Sequence, residues 1–232
     1  MVRTKTEKTL DGIYKFLSES YRGNWVYRWQ NTPYLKDALK KRKAESVVGH
    51  VWGTMEFWFH LRRVCPSLNS LVNPIEVYEI LLNHDLGETY AGDLPLYIRV
   101  TQKKDNAHNE RKSFLKIIRN TPKYRKELLA NFDEFEKEIG KINKLEVAVA
   151  KWIDNLQGNH CVLTFGTNLP KYSDAINKIL QIRFIVYTNR LLEILEKNKA
   201  TKAIREVKQV AKHHANIIKK AGINFDTSGL KC

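Results

Sequence analysis

The spacing of apolar residues constrains the fold of this chain more than any other feature of its sequence. Leu10, Ile13, Phe16 and Leu17 form a first apolar stripe at helical spacing, and similar stripes recur along most of the 232 residues. Few stretches alternate apolar and polar residues for the length of a β-strand. The pattern therefore predicts an all-α protein, built as a helical bundle with a C-terminal helical extension.

Start and stop signals place the individual helices. Pro74 suits the first turn of a helix, and Gly222 is placed to cap the last one. We predict helices at 45–64, 74–85, 109–119, 123–139, 144–155, 173–196 and 201–221. Residues 91–95 break the pattern as a loop, and a second loop is expected from about Gly158 to Pro170. The final ten residues are expected to be loosely held.

Length and composition fit one globular domain. Hydrophobic residues make up 43% of the chain and charged residues 28%, which argues against disorder as a whole. No apolar run approaches the roughly 18–20 residues of a membrane span, and no apolar secretion signal follows the N-terminus. Cys65, Cys161 and Cys232 share no metal-binding spacing, as expected of reduced thiols. We therefore expect a cytoplasmic protein without membrane contacts.

The net charge of +15 has two interpretations. A basic surface raises the local concentration of nucleotides or nucleic acid. The lysines are spread along the whole chain, however, so solvated helix faces explain the charge equally well. The basic helix 201–221 lacks the interleaved aromatic residues of a surface that binds single strands. Binding of nucleic acid is therefore not expected, although the charge leaves it open.

Residues 83–88 carry the most informative chemistry. His84 and Asp85 stand together at the end of an apolar helix. Imidazole and carboxylate ligands together suit borderline divalent ions such as Mn, Fe, Co, Ni or Zn. Glu88 follows four residues after His84, so it projects from the same helix face, beside any water bound there. A lone His-Asp pair is weak evidence, and its value depends on the residues that accompany it.

Two further polar residues lie in segments built for burial. His50 is followed by Trp52 and by further aromatic residues, and a histidine in such a helix is more often a core residue than a ligand. Asp154 ends the apolar run 147–153, where an unpaired carboxylate is costly. A shared metal ion would satisfy both residues at once.

The order His50, His84-Asp85, Asp154 resembles the H…HD…D signature of the HD superfamily. Residues 84–95, HDLGETYAGDLP, are similar almost residue for residue to the second motif of its small metal-dependent 5′-deoxynucleotidases. Residues 45–50 resemble the first motif of those enzymes, and residues 22–28, RGNWVYR, resemble their N-terminal Arg/Trp element. The resemblance covers roughly residues 10–157, and the second motif is its most specific part.

The resemblance implies a role for eight residues. The implied ligands of one divalent transition metal are His50, His84, Asp85 and Asp154. The implied catalytic residues are Glu88 and Asp93, and the implied substrate contacts are Arg22 and Trp25. A carboxylate such as Glu88 orients a water molecule or accepts its proton, and a guanidinium binds phosphate through two parallel hydrogen bonds. We assign residues 1–200 to the HD domain and residues 201–232 to a basic C-terminal helix and tail.

The implied activity is hydrolysis of deoxynucleoside 5′-monophosphates to nucleoside and phosphate, by a homodimer. Gly49 stands before His50 where the family usually has an acidic residue, which changes the surroundings of the metal. The chain between Trp25 and His50 is also longer than expected, and its surplus within residues 29–43 is basic. A deoxynucleoside triphosphohydrolase is therefore one alternative. A non-catalytic HD protein that binds nucleotides or nucleic acid is the other.

Several histidines and tryptophans are assigned no function. His213 and His214 lie in the basic last helix and are expected on its solvated face. Trp52, Trp58 and Trp152 are expected in the core.

Overall fold

The computed structural model describes residues 5–41, 44–121 and 123–231, and its regular structure is helical throughout these ranges. The α-helices are α1 (Lys5–Ser20), α2 (Lys36–Lys40), α3 (Val47–Val64), α4 (Pro66–Asn69), α5 (Pro74–Asn83), α6 (Glu88–Ala91), α7 (Leu96–Gln102), α8 (Ala107–Ile118), α9 (Arg125–Phe135), α10 (Leu145–Phe165), α11 (Ser173–Leu180), α12 (Val186–Lys197) and α13 (Thr201–Lys220). Short 3₁₀ helices lie at Tyr21–Trp25, Pro33–Leu35, Ile139–Lys141 and Leu169–Tyr172. The predicted all-α class is confirmed. In the described part of the chain, no helix has the length and apolar character needed to cross a membrane.

Side-chain caps fix the starts of the two helices that carry the histidines of the motif. The Oγ of Ser46 accepts a hydrogen bond from the backbone N–H of Gly49 at 3.1 Å, which begins α3. The Oδ1 of Asn73 accepts one from the backbone N–H of Ile75, also at 3.1 Å, and Pro74 occupies the first turn of α5. His50 is thereby held in the first turn of α3, and α5 ends immediately before His84.

Helix α10 lies at the centre of the main hydrophobic core. It packs against α3, α5, α9 and α12, and Trp152 on α10 and Trp58 on α3 are fully buried. The Nε1 of Trp152 donates a hydrogen bond to Thr188 of α12 at 3.1 Å, so the polar end of the indole is satisfied. A second, smaller cluster lies beneath α6, α8 and α9 and comprises Leu86, Phe114, Ile117, Ile118 and Phe132.

Two central helices differ from their predicted extents. Helix α10 continues to Phe165 instead of ending near Asn155, so Gly158 lies inside a helix and not in a loop. A Cβ at Gly158 would stand 3.8 Å from the indole of Trp29, so the glycine lets that ring lie against the helix. The predicted helix 173–196 is interrupted by a π-helical turn at Gln181–Ile185, between α11 and α12.

The C-terminal segment belongs to the same core. Helix α13 packs against α12 and α4, and its buried face includes Val207 and Ala211. Beyond the helix, Ile223 and Phe225 are also buried, and the backbone N–H of Asn224 donates to the Oγ of Ser173 at 2.7 Å. The expectation of a loosely held tail is therefore wrong for residues 223–225, because their two apolar side chains are packed into the core.

Two single-residue expectations are also wrong. Trp52 is 62% exposed on α3, whereas Trp58 and Trp152 are buried as predicted. His214 is buried, with its ring centroid 5.1 Å from that of Phe184. It follows Val207 by seven residues, so it shares the buried face of α13 and not the solvated one.

Candidate metal centre

Three mutually packed helices bring the predicted metal ligands together. His50 lies in the first turn of α3, Asp154 lies near the middle of α10, and His84 and Asp85 directly follow α5. Helices α3, α5 and α10 all pack against one another. The two histidines therefore meet although 34 residues separate them along the chain.

The ligand atoms of these four residues face one another at short distances. The Nε2 atoms of His50 and His84 are 3.1 Å apart, and each lies 3.4 Å from an oxygen of Asp85. The Oδ1 of Asp154 lies 3.0 Å from the Nε2 of His50 and 3.8 Å from that of His84. Both imidazoles are buried. The structure thus gathers the four predicted ligands into one compact cluster.

Hydrogen bonds on the far side of each ring orient the two imidazoles. The Nδ1 of His50 donates to the Oε1 of Gln157 at 2.6 Å, and the Nε2 of Gln157 donates to Glu45 at 2.6 Å. The Nδ1 of His84 donates to the backbone carbonyl of Leu81 at 2.7 Å. Because Nδ1 carries the donated proton in each ring, the Nε2 of each imidazole faces the cluster and is available as a ligand atom.

This donor set fits a divalent cation. Two bare imidazole nitrogens beside the carboxylates of Asp85 and Asp154 concentrate negative potential in a buried space. Burial and the charge of Arg28 lower the pKa of His50, but the hydrogen bond to Asp154 and the charges of Asp85 and Asp154 outweigh them, so the pKa is raised. A proton is therefore favoured between the Nε2 of His50 and the Oδ1 of Asp154, and a metal cation is suited to the same position. Mixed imidazole and carboxylate ligands are those of Mn, Fe, Co, Ni and Zn.

Two further carboxyl groups, Glu88 and Asp93, stand beside the cluster. Burial, followed by the charges of Asp85 and Asp93, raises the pKa of Glu88 well above its ordinary value. Its Oε2 is buried and accepts no hydrogen bond from the described residues. The Oδ2 of Asp93 accepts one from the backbone N–H of Trp29 at 2.6 Å, and burial raises the pKa of Asp93. Both groups are suited to exchanging protons with a bound molecule.

A cavity of about 550 Å³ opens at this cluster, within the usual size range of small-molecule sites. Asp85, Glu88, Asp93 and Asp154 line its polar end. Its other walls carry many apolar side chains of α10, α11 and α12 and of the turn that joins the last two, among them Leu163, Ile179, Ile182 and Val186. The cavity therefore offers a charged end and an apolar end to one ligand.

Arg22 and Trp25, the predicted substrate contacts, do not line this cavity. The guanidinium of Arg22 lies 4.4 Å from the ring centroid of Tyr90, and Trp25 is 81% exposed. Arg28 and Trp29 line the cavity instead. The sequence contained a signal for this difference. The segment from Trp25 to His50 is longer than the family's spacing, and the segment from Trp29 to His50 is shorter by four residues.

A short backbone pairing positions Arg28. The backbone N–H of Arg28 donates to the carbonyl of Glu45 at 2.9 Å, beside the isolated bridge that joins Tyr27 and Ser46. The Nη1 of Arg28 lies 3.7 Å from both Glu45 Oε2 and Asp85 Oδ2. Arg28 thus connects the network of His50 to the predicted ligand Asp85.

The basic segment 29–43 does not supply the cavity with lysines. Lys36, Lys40 and Lys41 are exposed and are not among the lining residues, whereas Trp29 and Tyr34 are. Arg42 and Lys43, the remaining basic residues of this segment, lie outside the described residues.

The structure also reveals lining residues that received no role from the sequence. Glu110 of α8 accepts a hydrogen bond from Arg99 at 2.7 Å, and burial raises the pKa of Glu110 to about 7. Lys151 of α10 is buried and lies one helical turn before Asp154. Neither residue belongs to the recognised motifs, and only the packing of distant helices places them in the cavity.

Comparisons with known proteins agree with this architecture. A crystal structure of a predicted metal-dependent phosphohydrolase from Magnetospirillum magnetotacticum MS-1 matches with a TM-score of 0.66, over 97% of this chain and 100% of that one. The sequences are 17% identical, so this match concerns the fold. A comparison with curated proteins yields no match. The family model described as HD domain matches residues 36–166. The chain therefore belongs to the HD domain family.

Proposed function

We propose that this protein is a metal-dependent hydrolase of nucleotide phosphate esters, with deoxynucleoside 5′-monophosphates as its substrates. One observation carries the proposal. The Nε2 atoms of His50 and His84 meet the carboxylates of Asp85 and Asp154 at the polar end of a cavity of about 550 Å³. His50, His84, Asp85 and Asp154 would hold the metal, which when bound lowers the pKa of water and polarises a phosphoryl oxygen.

Glu88 and Asp93 would supply the proton transfers. Burial raises the pKa of both residues, which suits carboxyl groups that take part in proton transfer. Glu88 lies nearer to the ligands in sequence and would accept the proton of the attacking water. Asp93, whose Oδ2 is held by the backbone of Trp29, would serve the oxygen of the leaving nucleoside.

The walls of the cavity suit the nucleoside part of such a substrate. Trp29 and Tyr34 present aromatic rings, and Ile179 and Ile182 present aliphatic surface. Flat and apolar walls of this kind accept a base and a sugar without demanding many hydrogen bonds. Arg28, rather than Arg22, stands on the side of the metal ligands.

The charge of the lining favours one phosphate group over three. Eight carboxylate side chains and five cationic side chains line the cavity. With all of these groups ionised, a divalent metal would leave this lining close to neutral, and a triphosphate would meet little compensating positive charge. The exposed lysines of segment 29–43 do not alter this balance, because they lie outside the lining.

The test is a metal-dependent assay with identification of the released group. The protein is loaded with Mn²⁺ or Co²⁺ and incubated with deoxynucleoside and ribonucleoside monophosphates and with deoxynucleoside triphosphates. Release of phosphate from the deoxynucleoside monophosphates, and its loss in an Asp154→Asn variant, is the expected result. Release of triphosphate would favour the triphosphohydrolase instead. Nucleotide binding without any hydrolysis would favour the non-catalytic alternative.

We also propose that the protein forms a homodimer through an exposed aromatic stripe. Val48, Trp52 and Phe59 follow one another at helical spacing on α3, and Trp25 lies on the 3₁₀ helix that packs against α3. Four large apolar side chains exposed on adjoining elements form the kind of patch that associates in water. Light scattering on a size-exclusion column should give twice the chain mass, and Trp52→Glu should give a single chain mass. A monomeric starting protein would refute this proposal.

A further inference from the structure

Lys151 is a cationic side chain of the cavity that forms no hydrogen bond with the described residues. Lys151 of α10 is buried, lines the cavity and precedes the ligand Asp154 by one helical turn, on the same face of the helix. In the part of the chain that the structure describes, its ammonium donates no hydrogen bond, and its nearest carboxylate oxygen, on Glu136, is 4.0 Å away. An ammonium offers three donors, and all three are available to a molecule in the cavity.

Aromatic rings surround this ammonium. The Nζ of Lys151 lies 3.9 Å from the ring centroid of Phe135 and 5.7 Å from that of Tyr187. The Phe135 ring also contacts the imidazole of His84, at a centroid separation of 5.0 Å. A single phenyl ring therefore contacts both the ammonium and a ligand of the metal. Contacts with ring faces orient a cation without using its hydrogen-bond donors.

Other cationic side chains of the cavity already have polar partners. Arg28 is flanked by two carboxylates, Arg99 donates to Glu110, and Arg183 donates to the hydroxyl of Tyr187. Lys137 pairs with Glu134. The Nε and Nη1 of Arg28 are also buried without a hydrogen bond, but two carboxylates flank that guanidinium, whereas aromatic rings flank the ammonium of Lys151.

We propose that Lys151 binds the phosphate of the substrate, through a phosphoryl oxygen that the metal does not contact. The inference rests on the proposed function and adds a residue to it. The ammonium would form a charge-assisted hydrogen bond to the phosphate from the α10 side, while His50, His84, Asp85 and Asp154 hold the metal. Inorganic phosphate, one product of the proposed reaction, should bind in the same position.

The test uses inorganic phosphate as the probe and isothermal calorimetry on the Co²⁺-loaded protein. Lys151→Met keeps the apolar stem and removes the charge, so the dissociation constant of phosphate should rise on the order of ten- to a hundredfold. Lys151→Arg should retain much of the affinity. Lys137→Met is the matched control, because Lys137 also lines the cavity but is more exposed and is paired with Glu134. It should bind phosphate like the original protein.

Metal content and melting temperature are measured for every variant, so that loss of the metal or of the fold is recognised. Should Lys151→Met fail to fold, Lys151→Gln takes its place, because the amide keeps the polarity without the charge. Equal phosphate affinity in the Lys151→Met and Lys137→Met proteins would overturn the inference, since a purely structural lysine predicts that result. If phosphate binding depends on Lys151 but no nucleotide is hydrolysed, the proposed function fails and the phosphate site stands.

Discussion

The most informative perturbation of the metal centre is Gln157→Leu. Gln157 does not line the cavity. Its amide nevertheless links His50 to Glu45 through two hydrogen bonds of 2.6 Å. Leucine is similar in size and removes both hydrogen bonds. The amide lies against Gly53, where a Cβ would come within 2.7 Å of its nitrogen, so the site is closely fitted to this side chain.

The expected effect is a loss of metal affinity of about ten- to a hundredfold, the usual result of removing the partner of a ligating histidine. This corresponds to about 1.4–2.8 kcal/mol. The structure favours the lower end of that range. The Oε2 of Glu45 lies 3.6 Å from the Nδ1 of His50 and can move to accept its proton. Adding Glu45→Gln to Gln157→Leu should therefore cost more than either change alone.

Competition with a chelator of known affinity measures the metal dissociation constant directly, and the d–d absorption of bound Co²⁺ reports the geometry of the site. Thr164→Val is a suitable control, because Thr164 lies on the same helix and, among the described residues, its side chain forms hydrogen bonds only with His160 of that helix. An unchanged metal affinity in the Gln157→Leu protein would refute the reasoning, since it would show that His50 does not depend on this network.

Three further outcomes are expected. The Glu88→Ala protein should retain its metal, while kcat falls about 10²–10⁴-fold. The Asp85→Ala protein should lose metal and activity together. A near-normal kcat in the Glu88→Ala protein would remove Glu88 from the mechanism. Arg22→Ala should leave KM unchanged, because the guanidinium lies over a ring outside the cavity, and a tenfold rise would restore the assignment made from sequence. Burial lowers the pKa of His214 to about 4, below its unfolded value near 6.5, so stability present above pH 6.5 is lost as pH falls towards 4. The free energy of unfolding should fall by up to about 3 kcal/mol over this pH range, as measured by chemical denaturation. The His214→Leu protein should no longer show this pH dependence, whereas a His213→Leu protein, changed at the exposed neighbour, should still show it.

The sequence determined the features that depend on local pattern. The apolar spacing of 3.6 residues specifies helices, because each helix must bury one face, and this gave the fold class and most helix positions. The motif of residues 84–95 identified the family, and the four predicted ligands do meet in space. The predicted end of α10 was wrong because glycine is a helix-breaking residue in sequence analysis. In the structure, Gly158 lies inside the helix and makes room for the Trp29 ring.

Only the tertiary structure decided which polar residues surround the four predicted ligands and the cavity. Gln157 and His50 are 107 residues apart, and nothing in either segment indicates that they form a hydrogen bond. Lys151 became a cavity residue because α10 packs beside α9 and α12, which bring Phe135 and Tyr187 to its ammonium. Arg28 took the position expected of Arg22 because its backbone pairs with Glu45. Such contacts arise from the relative placement of helices, and helical periodicity specifies the buried face of each helix but not its neighbour.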